Sequence, residues 1–258
     1  LDLRDKVIVI TGASSGFGEQ IARRCAQRGA QLVLAARSIE PLEVVAQELR
    51  ARGGRALAVA ADVTSAADVA RLAATTLERF GRADVLVANA GFGLLDRIAD
   101  APIEDLQAMI DVNLIGTIRC VKALLPSMLQ HRSGQVVIMA SIAGLIATPK
   151  MGYYSASKFA LIGLSRALML ELHGTGVRCA LICPGNAPTG FQQHADAAKY
   201  PRITRLVDCT SAQVADATVR AIQRRRHGEV VIPWQARALA ILSSPIPSLS
   251  RLVIRLVG

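Results

Sequence analysis

Short apolar runs rich in β-branched residues alternate along this chain with longer stretches in which apolar residues recur at helical spacing. Val7 to Ile10, Gln31 to Arg37, Ala56 to Asp62, Asp84 to Ala88, Val136 to Ser141, Val177 to Cys183 and Glu229 to Pro233 form the first class. Few of their positions are polar, so they read as strands covered on both faces. Glu19 to Arg28, Pro41 to Arg52, Ala66 to Phe80, Ile103 to Leu129, Gly152 to His173 and Ser211 to Arg226 form the second class and read as helices. This alternation predicts an α/β fold, a parallel sheet with helices on both faces joined by right-handed crossovers. With 258 residues, 52% of them hydrophobic, the chain can fill one large core, and no linker, repeat or low-complexity tract divides it before the last stretch.

Chemistry enters at the first strand. It runs into Thr11-Gly12-Ala13-Ser14-Ser15-Gly16-Phe17-Gly18 and then into a helical stretch. Glycines in a strand-to-helix turn let the backbone approach a pyrophosphate, which then meets the unpaired amides and positive dipole end of the helix. The spacing Gly12, Gly16, Gly18 is not the common G-x-G-x-x-G. Farther on, Tyr154-Ser-Ala-Ser-Lys158 places a phenol and an ammonium one helical turn apart, on the same face. A free phenol has a pKa of about 10, and bringing it to about 7 takes roughly 4 kcal/mol of differential stabilisation, within reach of one ammonium and a second nearby cation. Such pairs also arise by chance on helices. Here Ser141 accompanies the pair at the carboxyl end of a buried strand, where open α/β sheets bind ligands.

Thr11-Gly-x-x-x-Gly-x-Gly18, Ala88-Asn89-Ala90-Gly91, Asn113, Ser141, Tyr154-x-x-x-Lys158 and Pro184-Gly185 stand in the order and at about the separations of the short-chain dehydrogenase/reductase family, which the chain resembles from about Leu3 to Pro233. The resemblance implies a three-layer, doubly wound Rossmann fold with a seven-stranded parallel sheet, ordered three-two-one-four-five-six-seven. It implies a single dinucleotide-binding and catalytic domain over residues 1–233, with a substrate lid at about 186–210 and a basic, apolar extension at 234–258. The implied activity is hydride transfer between a nicotinamide cofactor and a carbonyl or alcohol. Two departures stand out: Ala88 where many members carry Asn, and Ala187-Pro188 where a β-branched apolar residue is usual, although Thr189 is kept.

Within that frame Tyr154 is the expected proton donor and acceptor, Lys158 lowers its pKa and holds the cofactor ribose, and Ser141 hydrogen-bonds the substrate oxygen. Asn113, a poor helix former inside a predicted helix, supports a water-linked proton path in the family. The cofactor set is Gly12, Ser14, Ser15, Gly16, Phe17 and Gly18 in the loop, Arg37, Asp62 and Val63 toward the adenosine, Asn89, Ala90 and Gly91 after the fourth strand, Pro184, Gly185 and Thr189 after the sixth, together with Tyr154 and Lys158. An acidic residue about 20 positions past the glycines would select NAD. Ala36 and Arg37 stand there instead, and an arginine fork suits a 2′-phosphate, so NADP(H) is expected in preference to NAD(H). Arg37 also has an ordinary reading as a solvated strand end, and Asp62 as a helix cap.

Phe191 to Cys209 has no clean period and reads as the lid, with Phe191, Tyr200 and Leu206 as apolar contacts. With Phe92, Leu94, Leu95, Leu145, Ile146, Met151 and Tyr153 it suggests an apolar pocket for a small lipophilic ketone, aldehyde or alcohol. Cys25, Cys120, Cys179, Cys183 and Cys209 are scattered and odd in number, which suits buried thiols in a reducing, cytoplasmic compartment. His131, His173, His194 and His227 lack metal-ligand spacing, so no metal is assigned. The net charge of +10 goes with only 3% aromatics and dispersed basic residues, which argues against nucleic acid. No signal peptide or spanning run is expected. The extension, with Arg237, Arg251 and Arg255 and no acid, fits a subunit interface better than a membrane surface, and a homodimer or homotetramer is expected, its subunits paired in the family through the Ile103 to Leu129 and Gly152 to His173 helices. Two other readings stay open at this point: a dinucleotide-binding sensor or scaffold without turnover, and a membrane-surface reductase acting on lipids.

Overall fold

Every residue of Val7–Thr11 (β1) is buried, because this strand lies near the middle of a parallel sheet with helices above and below. The computed structural model describes residues 1–187 and 207–238. In chain order, α1 (Gly16–Ala26), β2 (Gln31–Ala36), α2 (Ile39–Ala51), β3 (Arg55–Ala60), α3 (Ala66–Phe80) and β4 (Val85–Ala88) make the first half. The second half holds α4 (Ile103–Met109), α5 (Thr117–Gln130), β5 (Gly134–Met139), α6 (Gly152–Glu171), β6 (Val177–Pro184), α7 (Ser211–Gln223) and β7 (Gly228–Ile232). The seven strands lie in the order β3-β2-β1-β4-β5-β6-β7, all pairs parallel. This is the doubly wound, three-layer Rossmann architecture. The order reverses direction between β1 and β4, and that switch point opens a crevice at the carboxyl ends.

Alternation along the strands divides the core in two. Ile8 and Ile10 join Ile21, Leu42 and Val214 under α1, α2 and α7, whereas Val7 and Val9 join Leu72, Leu124 and Leu161 under α3, α5 and α6. Each such fully buried aliphatic side chain contributes about 1.5–3 kcal/mol relative to exposure. Local chemistry sets the helix ends. Ser65 caps α3 by accepting the Asp68 amide, and Gly81 ends it with φ of 72°. Thr210 and Gln213 form a reciprocal capping box at the start of α7.

The expected helix from Ile103 to Leu129 is not uniform. Between α4 and α5 the turns widen into a π-helical segment, Ile110–Gly116. Two contacts mark it. A Cβ on Gly116 would lie 2.6 Å from Val63 Cγ2, so the segment packs closer to the end of β3 than any other residue would allow. Asn113 is wholly buried, and its side chain is engaged by neighbouring chain segments. A π-turn placed at a functional side chain is a recurring pattern. At the other end of the domain, Ala236 is buried against Ile142 and Val207, so the first residues after β7 pack onto the body. Among the described residues no helix is long and apolar enough to cross a membrane.

Gly116→Ala should therefore lose about 1–3 kcal/mol of stability through overpacking, and Val63→Ala in the same chain should restore part of it. Chemical denaturation of the single and double variants measures both terms; additive losses would show that the contact with Val63 is not the constraint.

Candidate active site

The glycine loop follows directly from the end of β1. Gly12 and Gly16 have φ of 63° and 59°, values a side-chain-bearing residue rarely adopts. A Cβ on Gly18 would lie 2.2 Å from the Gly12 carbonyl oxygen, so α1 begins hard against the loop. Ser15 occupies the N-cap position but makes no side-chain cap hydrogen bond, which leaves the first-turn amides of α1 without a capping acceptor. Open amides over a glycine cradle fit a dinucleotide pyrophosphate. The Ala13 amide donates to the Ala35 carbonyl at 3.1 Å, laying the loop beside the end of β2, where Arg37 is exposed. Ser14 is half-buried, Ser15 exposed and Phe17 packed on the α1-side core.

Thr11 holds this loop to the next strand. Its hydroxyl accepts the amides of Asn89 at 3.0 Å and Ala90 at 3.1 Å, and Asn89 Nδ2 donates back to the carbonyls of Thr11 and Gly12 at 3.0 and 3.1 Å. The switch-point crevice is latched by these four bonds. Thr11 appeared in the sequence only as the residue before the glycines; a hydroxyl at a strand end facing a second strand's turn was the available signal. Asp62 accepts from the Thr64 amide and hydroxyl, both at 2.8 Å, and so shapes the turn before α3 while Ser65 does the capping. Val63 is buried beneath the π-segment.

At the carboxyl end of β5, Ser141 starts a short 3-10 turn, Ile142–Gly144. Its hydroxyl accepts the Ala143 amide at 3.1 Å and lies 3.5 Å from the Pro184 carbonyl at the end of β6. Gly144 permits close passage of α6: a Cβ there would lie 2.7 Å from the Lys158 backbone. Tyr154 and Lys158 are both buried on α6, with Lys158 Nζ 5.7 Å from the centre of the Tyr154 ring. Lys158 donates to the Met139 carbonyl at 3.2 Å. Burial pushes its pKa down from 10.5 to about 8. The Cys183 thiol could oppose that shift only as a thiolate, but burial pushes it up to about 12, so it stays neutral and gives the ammonium no counter-charge. A pKa of about 8 still leaves the lysine mostly protonated at neutral pH.

Asn113 closes the group. Its Oδ1 accepts the Phe92 amide and its Nδ2 donates to the Phe92 carbonyl, both at 2.9 Å, and Nδ2 also donates to Ser157 Oγ at 3.0 Å. Gly91 makes room for this: a Cβ there would lie 2.8 Å from Asn113 Oδ1 and 3.4 Å from Lys158 Nζ. Asn113, Gly91, Tyr154 and Lys158 thus meet at the carboxyl ends of β4 and β5. Phe92, Leu94, Leu95, Met151 and Tyr153 cluster with Met109, Ala143 and Tyr154 beside them. Leu145, expected in the same lining, packs on the α6-side core instead, because the turn after Ser141 folds back on itself with Leu145 bonded to Ile142. Gly185 is pressed between the Val207 and Ile232 carbonyls, and Asn186 bridges to Asp208, joining the two ends of the expected lid. Thr189, Pro188, Phe191, Tyr200 and Leu206 lie outside the described residues. All five cysteines are buried free thiols.

The family model described as short chain dehydrogenase matches residues 6–200. The chain belongs to this family. An uncharacterized oxidoreductase of Staphylococcus saprophyticus is 37% identical over 231 residues, covering 89% of this chain and 96% of the relative. Among solved structures, a short-chain dehydrogenase/reductase of Burkholderia phymatum in complex with NAD is 31% identical with a TM-score of 0.87, covering 96% of each chain. The alcohol dehydrogenase of Thermococcus sibiricus complexed with 5-hydroxy-NADP is 34% identical with a TM-score of 0.79, covering 89% of this chain and 96% of that one. This short-chain dehydrogenase is an oxidoreductase that uses a nicotinamide dinucleotide.

A buried ammonium without a carboxylate destabilises its own fold. Between pH 8 and 10.5 the unfolded lysine holds a proton that the folded one has released, so the penalty, at most roughly 3 kcal/mol, is full below that window and fades as pH rises through it. Lys158→Met should thus raise the melting temperature of the cofactor-free enzyme at pH 7, and the gain should shrink above pH 8. Calorimetry across that range checks it; a pH-independent gap would contradict a desolvated ammonium.

Proposed function

We propose that this enzyme interconverts a carbonyl and an alcohol on a small lipophilic substrate, with NADP(H) preferred and Tyr154 as the acid/base. The observation that carries the reading is Lys158, an ammonium buried 5.7 Å from the Tyr154 ring with no carboxylate partner among the described residues. In a site of low dielectric such a charge favours the phenolate more strongly than it would in water. Tyr154 then donates its proton to the substrate oxygen during reduction and takes it back during oxidation. Ser141, across the crevice at the end of β5, stabilises the charge growing on that oxygen. Asn113 keeps the Gly91–Phe92 turn and α6 together around the reacting groups. The nicotinamide, when bound, supplies or accepts the hydride.

The family accommodates both nicotinamide cofactors, so preference is argued from charge. Arg37 is exposed one residue past β2, beside the loop bearing Ser14 and Ser15, and no acidic residue takes its place. Its fork would hold a 2′-phosphate bidentately. Ser14, Ser15, Gly16, Phe17 and Gly18 would enclose the pyrophosphate, Asp62 and Val63 the adenine, and Asn89, Ala90, Gly91, Pro184 and Gly185 the nicotinamide half. The apolar cluster of Phe92, Leu94, Leu95, Met109 and Met151 supports a lipophilic substrate. On α6, Phe159 and Leu170 remain exposed, apolar positions that a second copy would cover, so a homodimer or homotetramer belongs to this reading, as do a single catalytic domain over 1–233 and a cytoplasmic location.

Reduced-nicotinamide absorbance with a panel of apolar ketones tests the proposal. Tyr154→Phe should lower kcat by about 10²–10⁴-fold while cofactor affinity holds; equal rates would remove the proposed acid. Arg37→Glu should weaken NADPH by about 10–100-fold relative to NADH, and an unchanged preference would sink the phosphate assignment.

A further inference from the structure

The strongest unassigned group near the reacting side chains is Ser157. It lies on α6 between Tyr154 and Lys158 and is completely buried, and the roles given above to Asn113, Ser141, Tyr154 and Lys158 leave it without one. Its hydroxyl donates to the Tyr154 backbone carbonyl at 2.7 Å and accepts Asn113 Nδ2–H at 3.0 Å. A serine hydroxyl has one proton and two lone pairs, so this bond direction is fixed: the proton is committed inside the helix, and a lone pair is left for the asparagine.

The consequence lies in what Asn113 then does. With Nδ2 shared between the Phe92 carbonyl and Ser157, and Oδ1 taken by the Phe92 amide, the carboxamide has a single orientation. Three segments meet at it: the Gly91–Phe92 turn, the π-segment and α6. Lys158, the residue after Ser157, reaches the same turn, since a Cβ on Gly91 would lie within 3.4 Å of its Nζ. The helix bearing the phenol and the ammonium is therefore pinned to the π-segment through one side-chain bond.

We propose that Ser157 is a positioning residue: by holding α6 against Asn113 it fixes how α6 sits over β5, and so how far the Lys158 ammonium, held to the Met139 carbonyl of β5, stands from the Tyr154 phenol, which sets the proton affinity of that phenol. This deepens the acid/base reading of Tyr154 and rests on it for its effect on turnover, but not for its effect on titration. Without the hydroxyl, Asn113 Nδ2 keeps a buried proton with no acceptor, and α6 is free to shift. The ammonium then stabilises the phenolate less, and the phenol becomes less acidic.

The test titrates phenolate absorbance in cofactor-free wild type, Ser157→Ala and Ser157→Cys, each read as the difference from the same protein carrying Tyr154→Phe. Cysteine keeps the side-chain size and loses the strong hydrogen bonds. Both substitutions should move the Tyr154 midpoint upward, on the order of one pH unit, with about a tenfold fall in kcat at neutral pH and little change in KM. A wild-type midpoint in Ser157→Ala overturns the proposal. So does a wild-type midpoint in Ser157→Cys beside a shifted one in Ser157→Ala, which would trace the effect to packing. Wild-type turnover in Tyr154→Phe would instead remove the acid/base reading, while the titration still decides what Ser157 does.

Discussion

A lysine ammonium kept out of water, with no carboxylate beside it among the described residues, constrains everything placed around it. Lys158 is held by one carbonyl, that of Met139, at the end of the strand that also leads to Ser141. Its burial comes from Gly144 on one side, where only a missing side chain lets the turn after β5 touch α6, and from Gly91 on another. Ion pairs with acids elsewhere in the molecule stabilise their partners, as with Arg23 against Glu19 and Glu48, but an acid here would cancel the positive charge that the proposed role of Tyr154 requires. The site accepts an electrostatic cost that a purely structural core would avoid.

The crevice itself depends on hydrogen-bond accounting at the switch point. Where β1 and β4 part from their next neighbours, backbone groups lose their ladder partners. Thr11 and Asn89 supply those partners from side chains, and because both work through a close approach of Gly12 to Ala90, the glycine loop and the turn at Gly91 are tied together. The glycine loop and the lysine side of the site are thereby joined through one short stretch after β4. Asn113 repeats the device one layer out, tying the turn after β4 to α6.

Much of this was legible along the chain, for a physical reason. The helix Ala66–Phe80 and the strands fall within a few residues of their expected bounds, because burial on both faces forces continuous apolar runs and burial on one face forces helical spacing. The expected strand order was also met, with β1 between β2 and β4. What the pattern missed are features without a period. A π-turn inserts its extra residue without breaking an apolar repeat, so Ile110–Gly116 reads as ordinary helix. Asp62 reads as a cap for α3, but the path of the chain gives that place to Ser65 while Asp62 shapes the turn before it. Leu145 looked like pocket lining until the 3-10 turn carried it to the other side.

The spacing of Tyr154 and Lys158 along a helix, the glycines after β1 and the arginine, in place of an acid, directly after β2 were set by the residues themselves, since each depends on near neighbours in the chain and on backbone freedom. Whether the ammonium is dry, what faces it, and which hydroxyl holds Asn113 were decided by the tertiary structure. Those properties belong to residues dozens of positions apart, Asn113 against Ser157 and Lys158 against Met139 and Gly91, and they exist only once the sheet and helices have packed. Desolvation and long-range hydrogen bonding are properties of packed surroundings, so no local pattern encodes them.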